Sequence, residues 1–454
     1  MKHISRDLTE GNVIKNVFTV ALPMMAGNLF QMVYNLIDTF WVGKLGKEAI
    51  AAVSFSFVLV FILISIAGGL AGASSITVAQ YFGARDYKRL KTTISIAIWF
   101  IGGTAFILSM IGLGFSSTFI GMLHPAPSVF PLANRYFRII MGGVPFMFLF
   151  FVLSGILRGL GNAVIPMKVG LVSNIVNMIL DPLLIFGLFF FPRLGVAGAA
   201  YATVISRIGA AMYLLWRLFN GKFGFSFTLG DIKADIEIIK NILRIGIPSS
   251  LTQFFVSIGR SIIIRIVAQF GTATVAGYGI GGRLDSAFFM IFMGLGNGVS
   301  AFVGQNVGRG RYDRVTKGVI RIGLIAMAIS TVLAIFVFLF APYLIYVFNT
   351  DPSVVKEGTI YLRTLAFFYM FIGFQFIIGS AFQGAGDATT TMFLSGTSVA
   401  LRVILAMLLS KYIGAKGAWI GLGLSWMITS SIGFSLFLSG RWKKKAVVRE
   451  RYGT

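Results

Sequence analysis

Residues Val20-Ala-Leu-Pro-Met-Met-Ala-Gly-Asn-Leu-Phe-Gln-Met-Val-Tyr-Asn-Leu-Ile-Asp-Thr-Phe-Trp-Val42 form an apolar run as long as a bilayer is thick, with one proline and one carboxylate inside it. An ionised group at the centre of a spanning helix costs about 2.5–3.5 kcal/mol on insertion scales, so Asp38 requires a compensating role. Pro23 removes a backbone donor and favours a bend. The run is therefore read as a bent spanning helix that carries a buried acid.

The rest of the chain repeats the pattern. Hydrophobic residues make up 57% of the 454 positions and charged residues 12%. A water-soluble core could not absorb that proportion, and the chain is read as a polytopic membrane protein. Runs long enough to span fall near 17–42, 50–79, 92–120, 132–157, 164–191, 195–219, 241–270, 274–304, 316–348, 358–383, 389–412 and 415–439. The net charge of +24 could suggest a nucleic-acid partner, but the basic residues cluster at the ends of apolar runs and form no basic face on a soluble domain. With both termini inside, inner segments carry 25 of the 39 Lys and Arg and outer loops carry 9. That bias places both termini in the cytoplasm. The polar start, Met1 to Lys15, lacks the pattern of a cleaved signal.

The chain is also internally duplicated at a spacing of 225 residues. Leu22-Pro23 recurs as Ile247-Pro248, and Gly46 as Gly271. Gln80-Tyr-Phe-Gly-Ala-Arg-Asp-Tyr87 recurs as Gln305-Asn-Val-Gly-Arg-Gly-Arg-Tyr312, and Leu157-Arg-Gly-Leu-Gly-Asn-Ala163 as Phe382-Gln-Gly-Ala-Gly-Asp-Ala388. Six spans separate the copies, an even number, so the halves run in the same direction. The expected fold is an all-α integral membrane protein whose twelve transmembrane helices form two pseudo-symmetric six-helix lobes around a central cleft. The expected divisions are an N-lobe at 1–219, a cytoplasmic inter-lobe linker with an amphipathic surface helix at 220–240, and a C-lobe with a basic tail at 241–454. Pro23 and Pro248 occupy matching places as candidate hinges.

Several chemistries find no support in the residues. The chain has no cysteine and only His3 and His124, which excludes a disulfide framework and a Cys/His metal cluster. No Gly-Lys pair is followed by Ser or Thr, so no Walker loop is present to drive transport with ATP. No nucleophile–base arrangement suggests an enzyme. The abundant glycines are read as helix-packing positions.

Three carboxylates lie at membrane depth: Asp38, Asp181 and Asp285. Asn174, Asn177 and Asp181 share one face of the fifth span, and Tyr34, Asn35 and Asp38 cluster on the first. If the two faces meet, they make an acidic, amide-lined pocket whose two carboxyls are expected to share a proton. At the duplicated positions Asn35 becomes Arg260, Asp38 becomes Ile263, Asn177 becomes Arg402 and Asp181 becomes Ala406. One lobe keeps titratable anions, and the other has gained fixed positive charge.

The two parallel halves, the proline-bearing first span ending in Asn35-Leu-Ile-Asp-Thr-Phe-Trp-Val-Gly43, the turn Gln80 to Tyr87, Leu157 to Asn162, and Asn177-Met-Ile-Leu-Asp-Pro182 together resemble the multidrug and toxic compound extrusion (MATE) family over essentially the whole chain. An acid in the first span with Asn-x-x-x-Asp in the fifth is similar to the prokaryotic DinF-like branch. The resemblance implies secondary active efflux of amphipathic, often cationic organic compounds in exchange for H⁺ or Na⁺, with no other cofactor. It implies that Tyr34, Asp38, Asn177, Asp181 and Thr203 line a cation site, the ion being held at Asp38 and Asp181. Tyr34, Asn35, Asn174, Arg260 and Arg402 are expected to line the substrate pocket. The expected partners are a small-molecule substrate and the bilayer, with no nucleic acid, and the protein is expected to act as a monomer. A flippase for an anionic lipid-linked precursor is the alternative that the arginines favour.

Overall fold

The computed structural model describes residues 5–223 and 235–448, which form α-helices with no strand among the described residues. The central part of the expected linker, 224–234, and the last residues of the basic tail, 449–454, lie outside the described residues. The first copy comprises α1 (Val13–Gly43), α2 (Lys47–Gly83), α3 (Tyr87–Gly114), the short α4 (Ser116–Gly121), α5 (Phe130–Gly159), α6 (Val164–Phe186) and α7 (Val196–Phe219). The second comprises α8 (Ile236–Val267), α9 (Thr272–Gly308), α10 (Tyr312–Tyr346), α11 (Pro352–Ala366), α12 (Tyr369–Gly384), α13 (Ala388–Ile413) and α14 (Ala415–Leu438). Eleven of these helices are long and apolar enough to cross a membrane, and the bent pair α11–α12 makes a twelfth span.

The sidedness of α6 shows what the fold is built for. Val172, Ile175 and Ile179 are exposed on one face, and Ser173, Asn174, Asn177 and Asp181 are buried on the other. A helix on the surface of a soluble protein shows the reverse arrangement. Here the apolar face suits lipid, and polar groups need partners inside the protein.

The repeated motifs are the turns between spans. Gly161 and Gly386, 225 residues apart, both take left-handed φ values, 80° and 89°, which only glycine adopts at low cost. The next residue then caps the following helix: Asn162 Oδ1 accepts from the Val164 amide at 3.1 Å, and Asp387 Oδ1 from the Thr390 amide at 3.3 Å.

Two features depart from the sequence reading. The expected span 92–120 is two helices, α3 ending at Gly114 and α4. The expected span 358–383 is broken between α11 and α12 by 57°. Neither proline nor glycine stands at that break, whereas the matching place in α5 holds Gly142-Gly143 and Pro145 within one unbroken helix. Two aromatic residues stand at the break. Phe367 packs edge-on against Phe338 at 5.5 Å, and the ring of Phe368 fills the space above Gly423 that a side chain would otherwise occupy.

By contacts the chain forms two compact units, one of residues 1–7 and 26–250, the other of 8–25 and 251–454. In the first unit α5 packs against α2, α3 and α7, and α6 against α7. In the second α12 packs against α9, α10 and α14, and α13 against α14. Each unit thus includes the leading part of the other copy's first helix. In the second unit the Leu8 amide donates to Gln305 Oε1 at 2.8 Å, Asn306 Nδ2 to the Leu8 carbonyl at 3.2 Å, and Arg314 Nη2 to the Gly11 carbonyl at 2.8 Å. These donors and acceptors lie in or just after the Gln305–Tyr312 motif. In the first unit, Arg89 just after the equivalent motif pairs with Glu237 at 3.7 Å, and Gly69 lies directly against the backbone of Gly246 and Ser250. Helices α1 and α8 pass from one unit to the other two residues beyond Pro23 and Pro248.

Candidate functional site

In the first unit, α1, α6 and α7 bring their polar side chains together. Asn174, Asn177 and Asp181 are 5%, 1% and 0% exposed, and Tyr34 is buried beside them. The lower part of the cluster is a closed set of hydrogen bonds. Asn174 Nδ2 donates to Gln31 Oε1 at 3.3 Å, and Arg207 Nη2 donates to Asn174 Oδ1 at 3.2 Å and Gln31 Oε1 at 3.4 Å. The Arg207 guanidinium also lies 5.4 Å from the Phe150 ring, a cation–π contact that helps to hold a charge away from water. Asn35 is exposed, and its Oδ1 accepts from Gln31 Nε2 at 3.1 Å, so it borders this set.

Thr203 organises the middle. Its hydroxyl donates to the Ala199 carbonyl at 3.0 Å, accepts from Asn177 Nδ2 at 3.4 Å, and bonds the Tyr34 hydroxyl. One helical turn further along α1 and α6, the Asp38 and Asp181 carboxyls meet within hydrogen-bonding reach of each other. Neither oxygen of Asp181, nor Asn177 Oδ1, receives a donor from any described residue. Buried acceptors are rarely left empty. Two carboxyls can touch without severe repulsion only if a proton or a cation joins them. The three empty oxygens leave acceptor capacity here that a proton or a small cation could fill.

The sequence reading brought Tyr34, Asp38, Asn174, Asn177, Asp181 and Thr203 together, and the structure places them together. It missed Gln31, Arg207 and Tyr136, the last of which lies on α5 close enough to Asp38, Asp181 and Tyr34 to feel their charge. The signal for Tyr136 was present, since the duplication pairs it with Tyr361. Arg260 and Arg402 belong to the second unit. Arg260 is exposed and bonds Tyr278, and the Arg402 guanidinium lies 6.0 Å from the Trp426 ring. In that unit Asp285 is buried and accepts from the Tyr361 hydroxyl at 2.5 Å and from the Tyr369 hydroxyl.

The family model MatE matches residues 23–183 and again residues 248–408, the same window twice at the 225-residue spacing. The chain belongs to the MatE family. Among its MATE relatives, the probable multidrug resistance protein YpnP of Bacillus subtilis is 32% identical, over 98% of this chain and 99% of its own length. The multidrug export protein MepA of Staphylococcus aureus is 29% identical over 87% of each chain. A multidrug resistance MATE transporter of the MOP superfamily, solved in an outward-facing conformation, superimposes with a TM-score of 0.88 at 28% identity, covering 99% of both chains. The protein is thus a polytopic member of a family of multidrug efflux transporters.

Proposed function

We propose that this MATE protein exports amphipathic, often cationic organic compounds by antiport, and that the exchanged ion, H⁺ or Na⁺, is taken up at the Asp38–Asp181 pair. The observation that carries this reading is the carboxyl-to-carboxyl contact with its three donorless oxygens. Occupying the pair joins α1 to α6, and releasing the ion leaves two like charges that push the helices apart. Because α1 carries Pro23 near where it passes between units, a change at Asp38 can alter the helix bend there. The protein lies in a prokaryotic cell membrane with both termini in the cytoplasm, as the Lys and Arg bias requires.

The driving force suffices for this task. One charge crossing 100 mV is worth about 2.3 kcal/mol, and one pH unit about 1.4 kcal/mol. Exchange of one proton for a monovalent cation cancels the potential and concentrates the drug about tenfold per pH unit, whereas a neutral compound gains several hundredfold. The relatives carry drug-export names, and nothing among them favours the flippase alternative.

Proteoliposome transport of a fluorescent organic cation under imposed pH and Na⁺ gradients tests the reading. Flux that follows one of the gradients and vanishes without it is expected. Flux indifferent to both would refute coupling.

A further inference from the structure

The second copy ends on a turn that the first copy shares, and only the second copy charges it. Gly221 and Gly440 stand just past α7 and α14, with left-handed φ values of 67° and 71°. Two residues further on, each copy buries an aromatic ring, Phe223 and Trp442, both 1% exposed. Trp442 stacks on Phe437 at 5.3 Å, meets the ring of Tyr312 on α10 at 5.9 Å, and donates its indole N–H to the Phe437 carbonyl at 2.9 Å. This seating holds the segment Arg441-Trp-Lys-Lys-Lys445 beside the start of α10.

Between that turn and the start of α10 lies a pocket of about 210 Å³. Lys317 and Lys443 line it, both exposed, and neither pairs with a carboxylate among the described residues. Two acceptors share the lining: the Asp313 carboxylate, and the Thr316 hydroxyl, which donates to the Tyr312 carbonyl at 3.2 Å and so has only lone pairs to offer. Beyond the pocket the exposed face of α10 runs from Lys317 through Arg321 to Leu324, 59% exposed, and Leu438 at the pocket edge is 53% exposed. The surface thus turns from charged to apolar along one helix face. The duplication shows that the fold does not need these lysines, since the first copy has Thr92 in place of Lys317 and Gly224 after its buried aromatic in place of Lys443. Two cationic donors suit a phosphodiester, two acceptors suit hydroxyls, and the apolar strip beyond them suits acyl chains.

We propose that this pocket binds the head group of an anionic glycerophospholipid of the phosphatidylglycerol type, with Lys317 and Lys443 on the phosphodiester and Asp313 and Thr316 accepting from the glycerol hydroxyls. The acyl chains lie along Leu324 and Leu438. On the orientation proposed above, the lipid comes from the cytoplasmic leaflet. The site shares no residue with the Asp38–Asp181 pair and does not rest on the coupling reading.

Native mass spectrometry of the delipidated protein in detergent tests this, with dioleoyl phosphatidylglycerol, phosphatidate and phosphatidylcholine as probes and soluble glycerol 3-phosphate as competitor. Phosphatidylglycerol is expected to bind about tenfold more tightly than phosphatidylcholine, which has no net charge. Phosphatidate, which has the charge without the hydroxyls, is expected to bind about threefold more weakly than phosphatidylglycerol. Lys317→Gln and Lys443→Gln are each expected to lose about fivefold in phosphatidylglycerol affinity. Replacing both lysines by arginine keeps the charge and is expected to keep the binding, which guards against misreading a misfolded variant. Lys88→Gln makes the same charge change at the place in the first copy that matches Asp313, and is expected to leave the affinity unaltered. Equal affinity for phosphatidylglycerol and phosphatidylcholine, tighter binding of phosphatidate, unchanged affinity in the folded double glutamine variant, or an equal loss in Lys88→Gln would each overturn the proposal. Displacement of the lipid by an equal concentration of glycerol 3-phosphate would overturn the lipid assignment in favour of a soluble phosphate.

Discussion

Tyr136 and Tyr361 occupy the same place in the two copies, and each faces a buried acid: Tyr361 donates to Asp285 at 2.5 Å, and Tyr136 lies beside the Asp38–Asp181 pair. The duplication preserved the phenol and changed what it addresses. In the second unit the acid is single and has two tyrosine donors. In the first, two acids face each other, and Asp181 has none.

On the proposed reading, that contrast separates a coupling carboxyl from a structural one. Asp38→Asn and Asp181→Asn are each expected to reduce coupled efflux to background in a folded, inserted protein, because an amide keeps the shape but cannot bind and release the ion. Drug susceptibility of cells expressing each variant, with membrane yield as the folding control, is the measurement. Drug resistance at the unaltered level in either variant would remove that carboxyl from the coupling site.

Asp285 should behave differently. Tyr361→Phe removes a hydrogen bond to a buried charged group and is expected to cost about 1.5–3 kcal/mol of stability, read as a lower unfolding temperature in detergent. Asp285→Asn is expected to keep its dependence on the coupling gradient. Loss of that dependence would make Asp285 a second coupling acid.

The two prolines are matched in place, but only α1 carries an acid beyond its proline. Pro23→Ala is therefore expected to slow transport more than Pro248→Ala. Equal slowing in proteoliposomes would mark both bends as packing features.

Close helix approach sets the stability of the α13–α14 hairpin. A Cβ on Gly421 would lie 2.5 Å from the backbone nitrogen of Ala406, and backbone cannot move aside as a side-chain tip can. Gly421→Ala is expected to destabilise by about 1–3 kcal/mol. Gly72→Ala, with no neighbour within 4 Å, should be neutral or mildly stabilising by thermal unfolding.

Much of this organisation was legible in the sequence because it rests on periodicity. The 225-residue repeat gave matching helices, and the family model matches the chain in two windows at the same spacing. The i, i+3, i+7 spacing on α6 by itself puts Asn174, Asn177 and Asp181 on one helical face. What escaped were relationships made by packing alone. Arg207 is one of several arginines within the apolar runs, and only the α1–α6–α7 arrangement shows that it closes a network with Gln31 and Asn174. The break between Ala366 and Tyr369 has no Gly or Pro to announce it, and the contacts of Phe367 and Phe368 there are with residues distant in sequence.

The exchange of leading segments bears on how such a chain is made and inherited. Residues 8–25 leave the ribosome well before their partners, Gln305 to Arg314, which are translated some three hundred residues later. The first helix must therefore wait in the membrane with part of its length uncommitted, and the first unit is complete only when Ser250 has been added. A gene cut between the copies would encode two fragments, each missing a piece of its own body. A single copy built on this plan would lack the leading segment that completes its body, and only a second copy could supply it.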